Sequence, residues 1–159
     1  MGNMAIPYML ESALVAHIKS KVTAIATLGI TVLDALGADK IQWPAIKVEV
    51  SKGREQPENS GNFLCDVDIA VLGRVDPANN TTYAATALEH SIVCGATHLY
   101  ITRDLTNAIS WDDLGIGVGN TNDFEVHNVR FASFDRTIDI GGAVFEDIFT
   151  LEVYLHETT

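Results

Sequence analysis

The end of the chain, from Phe134 to His156, has the clearest alternation of apolar and polar residues. In its second half one face carries only apolar side chains: Phe145, Phe149, Leu151, Val153 and Leu155. The other face carries Glu146, Thr150, Glu152 and Tyr154. A period of two residues is typical of a β-strand that is buried on one side. We therefore predict a long C-terminal β-hairpin that turns at Gly141 and Gly142.

Two earlier segments show the same period. From Ile46 to Ser51, apolar residues alternate with Lys47, Glu49 and Ser51, and from Phe63 to Val71 they alternate with Asp66 and Asp68. Each segment predicts a strand. Between them, Lys52–Asn62 has almost no apolar residue, which predicts a long, mobile polar loop. Phe124–Phe134 alternates imperfectly and predicts a bulged strand.

Two segments have helical spacing instead. In Tyr8–Leu28, apolar residues recur at steps of three and four, at Leu10, Leu14, Ile18, Val22 and Ile25, and Gly29 is a suitable terminator. A second helix is predicted from a cap at Thr81 or Thr82 to about Gly95, with an inward face that is formed by Ala84, Ala85, Leu88 and Ile92 and can include Val93. The apolar segment Ile30–Leu36 fits either a strand or a short helix.

The order of these elements indicates the fold class. The chain has 159 residues, a length typical of one domain, and we treat residues 1–159 as that domain. Helices precede and interrupt strands that are joined by short or polar connections. This order predicts an α+β fold with a mostly antiparallel sheet, helices packed on one face and the long C-terminal hairpin.

The net charge of −11, from 21 acidic and 10 basic residues, narrows the function. A protein that binds nucleic acid tightly needs clustered Lys and Arg, so the net charge argues against a nucleic-acid-binding protein. It does not argue against a protein through which DNA merely passes. We also find no apolar run of the ~18 residues that span a membrane. The outward residues of the three best strands are five acids and one base: Lys47, Glu49, Asp66, Asp68, Glu146 and Glu152. Much of the negative charge is therefore expected on one face of the sheet.

The sequence contains only weak matches to motifs for catalysis or ligand binding. Gly115–Asn120 resembles a phosphate-binding loop, but it lacks the preceding strand, the following helix and the Lys-Ser/Thr ending. Asp66 and Asp68 share a face and could divide acid and base roles, although a solvated sheet face explains them more simply. No two histidines are four residues apart, and the cysteines Cys65 and Cys94 are expected to be buried. The sequence thus predicts no catalytic residue, no cofactor-binding residue and no metal ligand.

The order of motifs resembles a known family. An amphipathic N-terminal helix precedes Trp43-Pro44-Ala45-Ile46-Lys47-Val48, then Asp66-Val67-Asp68-Ile69-Ala70-Val71, a helix after Asp76, and the closing segment Phe145–Val153. In this order the chain resembles the tail terminator (tail completion) proteins of long-tailed bacteriophages. It resembles related head–tail joining proteins more loosely.

The resemblance implies a structural virion protein rather than an enzyme. Such a protein forms a homo-oligomeric ring, usually a hexamer, in the neck of the virion after assembly in the host cytoplasm. The ring caps the tail tube protein and docks it to the head connector. DNA would pass through its lumen without specific binding, and neither a cofactor nor a membrane is implied.

The resemblance also suggests roles for particular residues. The lumen is expected to be lined by an acidic set that repels DNA: Glu49, Asp66, Asp68, Glu146 and Glu152. Contacts between subunits or rings are expected at Lys52, Arg54, Glu55, Gln56, Glu58, Gly141 and Gly142. Another neck adaptor or tail tube protein is the nearest alternative. A small α+β enzyme, with a pocket of Asp66, Asp68 and a histidine, and a regulatory or ligand-binding module are more distant ones.

Overall fold

The computed structural model describes residues 6–21, 27, 29–34, 44–55, 60–76, 78, 82–105, 124–139, 141 and 144–157. Helix α1 spans Ile6–Lys21, and helix α2 spans Tyr83–Tyr100 and continues into a π-helical segment at Ile101–Leu105. The strands are β1 at Thr31–Asp34, β2 at Ala45–Glu55, β3 at Asn62–Arg74, β4 at Phe124–Asp139 and β5 at Val144–Glu157. None of the described helices is long and apolar enough to cross a membrane.

The strands form one sheet in the order β1-β2-β3-β5-β4. Strand β1 is parallel to β2, and every other pair is antiparallel. This arrangement confirms the α+β class with a mostly antiparallel sheet and a C-terminal hairpin. It also settles the segment that fitted either a strand or a helix, because Thr31–Asp34 is a strand. Gly29, the predicted terminator, has a φ of 65°, a conformation that glycine adopts readily.

Both helices pack on the same face of the sheet, which we call the inner face. Leu10, Leu14 and Ile18 of α1 are fully buried in the core, as their spacing predicted. The Glu11 carboxylate accepts a hydrogen bond from the backbone N–H of Val50 at 3.0 Å, which ties α1 to β2. The side chain of His17 hydrogen-bonds the hydroxyl of Tyr100 and so joins the two helices. Val22 and Ile25 lie outside the described residues.

The predicted polar loop between β2 and β3 is wrong over its first residues. Strand β2 continues to Glu55, and Lys52–Glu55 pair with β3 from Asp66 back to Phe63. Backbone pairing does not require apolar side chains, and the long partner strand satisfies the backbone groups of this polar segment. A register shift between Val50 and Lys52 turns Lys52 and Arg54 to the outer face, opposite Asp66 and Leu64.

The predicted inward face of α2 is wrong except at Val93, which is buried. Thr82 is the N-cap, with its hydroxyl accepting a hydrogen bond from the Ala85 N–H at 3.2 Å, but Leu88 and Ile92 are 64% and 49% exposed. The buried face comprises Thr86, His90, Val93, Cys94, Thr97 and Tyr100. Because α2 is apolar on both sides, hydrophobicity alone did not determine which side meets the sheet.

The C-terminal hairpin is confirmed, and its longer strand carries the expected irregularity. Strand β4 shifts register at two places, between Val126 and Asn128 and between Phe131 and Ser133. Such bulges explain its imperfect alternation. The odd-numbered positions of β5 from Phe145 to Leu155 are buried. The glycine-rich segment Gly115–Asn120 lies outside the described residues.

Candidate functional site

The five acids assigned to a lumen lie on the face of the sheet away from the helices, the outer face. The strand registers place Glu49 directly opposite Asp68, and Asp66 directly opposite Glu152. All of these side chains are half-buried. Glu146 is further along β5, opposite Leu72. Like charges that lie directly opposite each other on paired strands repel and destabilise the pair. Neighbouring side chains must therefore offset the repulsion between these carboxylates.

Compensation comes from hydrogen bonds and interleaved cations. Thr150 Oγ1 donates to Asp68 Oδ1 at 2.8 Å, and Arg130 Nη2 donates to Glu152 Oε1 at 2.8 Å. Lys47 Nζ lies 3.7 Å from a carboxylate oxygen of its neighbour Glu49. The hydrogen bond to Glu152 raises the pKa of the Arg130 guanidinium. The outer face is therefore a mixed surface that contains these five acids, with basic residues of β2 and of the edge strand β4 beside them.

The residues assigned to subunit contacts fall at two opposite ends of the sheet. Asn62 of β3 pairs with His156, whereas Arg74 at the other end pairs with Val144, so the β2–β3 and β4–β5 turns point in opposite directions. Lys52 and Arg54 are exposed near the first turn, and Gly141 is exposed in the second. Glu55 is half-buried, and its Oε2 accepts a hydrogen bond from the Gly61 N–H at 3.0 Å. Gln56, Glu58 and Gly142 lie outside the described residues.

Two shallow cavities lie near the first turn. One, of about 300 Å³, lies on the outer face and is lined by Lys52, Arg54, Leu64, Asp66, Glu152 and Tyr154. A pocket built on Asp66, Asp68 and a histidine would favour the enzyme alternative, but neither Asp68 nor a histidine lines this cavity. The other, of about 350 Å³, contains His127 but neither aspartate. Neither of these two cavities, both lined by described residues, has the composition that would favour an enzyme.

A charged network around a buried carboxylate, which the sequence interpretation missed, lies on the inner face; its cation, Arg136, is half exposed. Asp147 is fully buried on β5. Arg136, directly opposite on β4, donates to Asp147 Oδ2 from Nη2 at 2.8 Å and from Nε at 3.0 Å, and His90 Nε2 of α2 lies 3.0 Å from Oδ1. Burial raises the pKa of Asp147, but hydrogen bonds from Arg136 and His90 outweigh it and leave the pKa below the usual 3.8. Asp147 is thus held as a carboxylate.

Cys94 completes this network, with its Sγ 3.4 Å from His90 Nε2. The ligand atoms of His90, Cys94 and Asp147 lie within 4.8 Å of one another, close enough to surround a metal ion. However, the Arg136 guanidinium already binds the Asp147 carboxylate, and its positive charge opposes a cation there. We interpret the group as a structural network.

The same group is not arranged for nucleophilic catalysis. Burial and the Asp147 charge raise the pKa of the Cys94 thiol to about 12, so it stays protonated at neutral pH. Moreover, one nitrogen of His90 faces both Cys94 and Asp147. A catalytic triad uses the two ring nitrogens for separate partners.

Two features of the sequence could have revealed the network. Asp147 falls on the same face of β5 as Phe145 and Phe149, and a carboxylate on an otherwise apolar face requires a buried partner. His90 and Cys94 are four residues apart on α2, so their side chains lie on one side of the helix. The spacings between histidines alone do not reveal this pair. The partner Arg136 becomes evident only when the register of the hairpin is known.

Comparisons with known proteins support the fold. No protein family and no curated protein matches the chain. Among solved structures, the chain is similar to one in the virion of a native gene transfer agent (GTA) particle, with a TM-score of 0.53 and 11% sequence identity. The similarity covers 92% of this chain and 94% of that chain. At this identity the similarity shows a shared fold over nearly the whole of both chains.

Proposed function

We propose that this chain is a structural protein of a phage-like virion. The observation that carries the proposal is the structural similarity to a chain of a gene transfer agent virion over 92% of the length. The specific role we propose is that of a tail terminator. Several copies would form a closed ring, six by the family resemblance, that caps the tail tube and joins it to the head connector.

The distribution of charge supports a ring around DNA. The chain carries a net charge of −11, and five of its acids share the outer face. If that face lines the lumen, its acids repel DNA phosphates, and the interleaved Lys47, Lys52 and Arg130 limit the repulsion between subunits. A lumen of this kind lets DNA slide without binding it. This assignment of the lumen is part of the proposal.

The two ends of the sheet support a joining role. Exposed residues of the β2–β3 hairpin and the exposed Gly141 of the β4–β5 turn project from opposite ends. A protein placed between the tail tube and the head connector needs two such surfaces, one for each neighbour. We propose that one turn contacts the tube and the other contacts the connector.

Electron microscopy tests this function directly. Purified protein, alone and mixed with isolated tail tubes, is imaged by negative stain, and its mass is measured by analytical ultracentrifugation. We expect closed rings, or rings that appear at tube ends. A protein that stays monomeric and never binds tubes would reject the proposal.

The same experiment distinguishes a tail terminator from the nearest alternatives, a tail tube subunit and a neck adaptor. A tail tube subunit would extend into long tubes of many rings, and a neck adaptor would bind connectors but not tube ends. Stoichiometry in the virion gives a second criterion, because a terminator contributes a single ring per tail whereas a tube protein contributes many.

A further inference from the structure

The sheet ends in two different strands, which lie at its opposite edges. Among the described residues, β1 pairs only with β2 and β4 pairs only with β5. An edge strand presents a row of backbone N–H and C=O groups to which a strand of another chain can add. The two edges are therefore two separate surfaces, and a head-to-tail contact in a closed ring needs two separate surfaces on each copy.

One half of the edge strand β4 is both regular and exposed. The two register shifts of β4 lie before Ser133, and Ser133–Asp139 pairs with β5 without interruption. Every residue of this segment is exposed. Because bulges hinder pairing at a sheet edge, the regular segment is better suited to receive another strand than the bulged half is.

We infer that β4 of one copy pairs with β1 of the next copy, so that the sheets join into one continuous barrel whose outer face lines the lumen. The inference rests on the proposed ring. In that ring the β2–β3 and β4–β5 turns meet the tail tube and the connector, so the ring axis runs along the strands and lateral neighbours meet at the sheet edges. Six copies of this five-stranded sheet, with strands about 4.8 Å apart, close to a barrel roughly 45 Å across, which is wide enough for a DNA duplex.

The strand registers place β1 at the same level of the sheet as the regular segment of β4. The paired residues lead across the sheet from Thr31 to Thr137 at one end of β1, and from Asp34 to Phe134 at the other end. A rotation about an axis along the strands keeps this level, so β1 of the next copy arrives beside Phe134–Thr137. It also arrives antiparallel to β4, because β1 runs in the same direction as β5 and β4 runs opposite to β5.

Side chains on the two edges complement each other at a stagger of two residues. Strands of a closed barrel are staggered, and a stagger by an even number keeps inner face beside inner face. A stagger of two places Asp34 of one copy opposite Arg136 of its neighbour, and Val32 opposite Ile138. Arg136 binds Asp147 through Nε and Nη2, its side chain is 52% exposed, and Nη1 carries further N–H donors. Opposite charges that face each other across paired strands stabilise the pairing, so the β1 edge of a second copy fits this part of β4.

The position of α1 explains how the inner side of this joint is covered. Helix α1 packs mainly against β1 and β2, whereas α2 packs mainly against β3 and β5. On the inner face of β4, Phe134 and Ile138 are each 45% exposed. When the next copy joins through its β1, its α1 lies on the same side of the sheet beside these two apolar side chains and removes them from water.

Engineered disulfides between copies test the inference. The same stagger places Leu33 of one copy opposite Thr137 of the next on the outer face, with Cα atoms about 4.5 to 5.5 Å apart, a distance that a disulfide can bridge. Within one copy these residues are four strand spacings apart, roughly 19 Å, so they cannot be bridged. Cys65 and Cys94 are buried and do not compete. Under mild oxidation, where the wild type assembles, Leu33→Cys with Thr137→Cys should give a ladder of cross-linked oligomers up to the full ring on a non-reducing denaturing gel.

Leu33→Cys with Ile138→Cys is the matched control, because Ile138 lies one residue from Thr137 but on the inner face. It should give no ladder, since its two cysteines lie on opposite faces of the joined sheet. An equal mixture of the single variants Leu33→Cys and Thr137→Cys should stop at cross-linked dimers. Circular dichroism should show that every variant is folded.

The outcomes separate the edge pairing from the proposed function. If the wild type forms rings and Leu33→Cys with Thr137→Cys gives no ladder, the edge pairing is wrong but the proposed function stands. Cross-linked dimers from Thr137→Cys alone would mean that β4 pairs with β4 of a second copy, which also rejects the inference. If the wild type never assembles, even with tail tubes, the proposed function fails and the edge pairing fails with it.

Discussion

The Asp147 carboxylate is held by side chains from two other elements, Arg136 of β4 and His90 of α2. Removing a carboxylate from water is unfavourable, and only good hydrogen bonds from charged or polar donors offset that cost. Here the partners come from both sides, so the network fixes the position of α2 on the sheet and the register of the hairpin. This suggests that its role is to define the fold rather than to perform chemistry.

Replacing this carboxylate should destabilise the protein. Asp147→Asn keeps the shape but removes the charge that Arg136 and His90 bind. We expect the free energy of unfolding to fall by about 1.5 to 3 kcal/mol, the usual contribution of hydrogen bonds to a charged group. Urea denaturation measures the change. Glu152→Gln, which removes the exposed ion pair with Arg130, is the control and should have a much smaller effect.

The same carboxylate should make stability depend on pH in the acid range. The folded pKa of Asp147 lies below the ordinary 3.8, so between the two values the unfolded chain binds more protons and stability rises with pH. The contribution is complete above 3.8 and is lost as pH falls through the folded pKa. We expect the stability difference between wild type and Asp147→Asn to shrink in urea titrations below pH 3.8. A difference that stays constant would contradict this reasoning.

At the scale of elements, the length of β2 changes the interpretation of Lys52–Glu55, the segment where contacts between subunits or rings were expected. Lys52–Glu55 belong to the sheet, and the hydrogen bond from the Gly61 N–H to Glu55 closes the hairpin. Side chains exposed on a paired strand are held in fixed directions. Lys52 and Arg54 therefore present their charges from a defined position beside Asp66, rather than from a loop.

Hydrogen exchange tests this assignment. Backbone amides of Lys52–Glu55 that are directed at β3 should exchange at least about tenfold more slowly than the amide of Gly141, because they are hydrogen-bonded within the sheet. Mass spectrometry or NMR on the purified protein measures the rates. Equal rates at the two places would mean that β2 ends near Val50, as a polar loop requires.

At the scale of the whole molecule, charge and apolar surface lie on different sides. Acids concentrate on the outer face, whereas the uncovered apolar residues lie on α2 and on the inner face of β4. In the proposed ring, the acidic outer face would meet DNA, and the apolar residues on the helix side would face away from the lumen.

Charge reversal on the outer face should impair DNA passage without preventing assembly. We choose Asp66→Lys and Glu146→Lys, because Asp68 and Glu152 have hydrogen-bonded partners within the sheet. Lysines in the lumen would attract phosphates and slow the DNA. Infectivity and DNA ejection are the measurements, with Asp66→Asn and Glu146→Gln as neutral controls of smaller effect. Normal infectivity of the lysine variant in assembled particles would reject the lumen assignment.

The sequence by itself determined the α+β class, the core strands, the hairpin and the N-terminal helix. It could do so because a strand buried on one side imposes a period of two, and a helix buried on one side a period near four. It also placed the five acids on one sheet face through that period. The strand at Lys52–Glu55 could not be predicted from this period, because its pairing depends on the backbone of β3 and not on its own side chains.

Only the tertiary structure decided which side of α2 is buried and what holds Asp147. Leu88 and Thr86 both lie on α2, and the choice between them depends on sheet residues distant in the chain, such as Asp147, which is 57 positions from His90. No local pattern encodes contacts across such separations. The same choice left Leu88, Ile92 and Leu99 exposed, which only the three-dimensional structure shows.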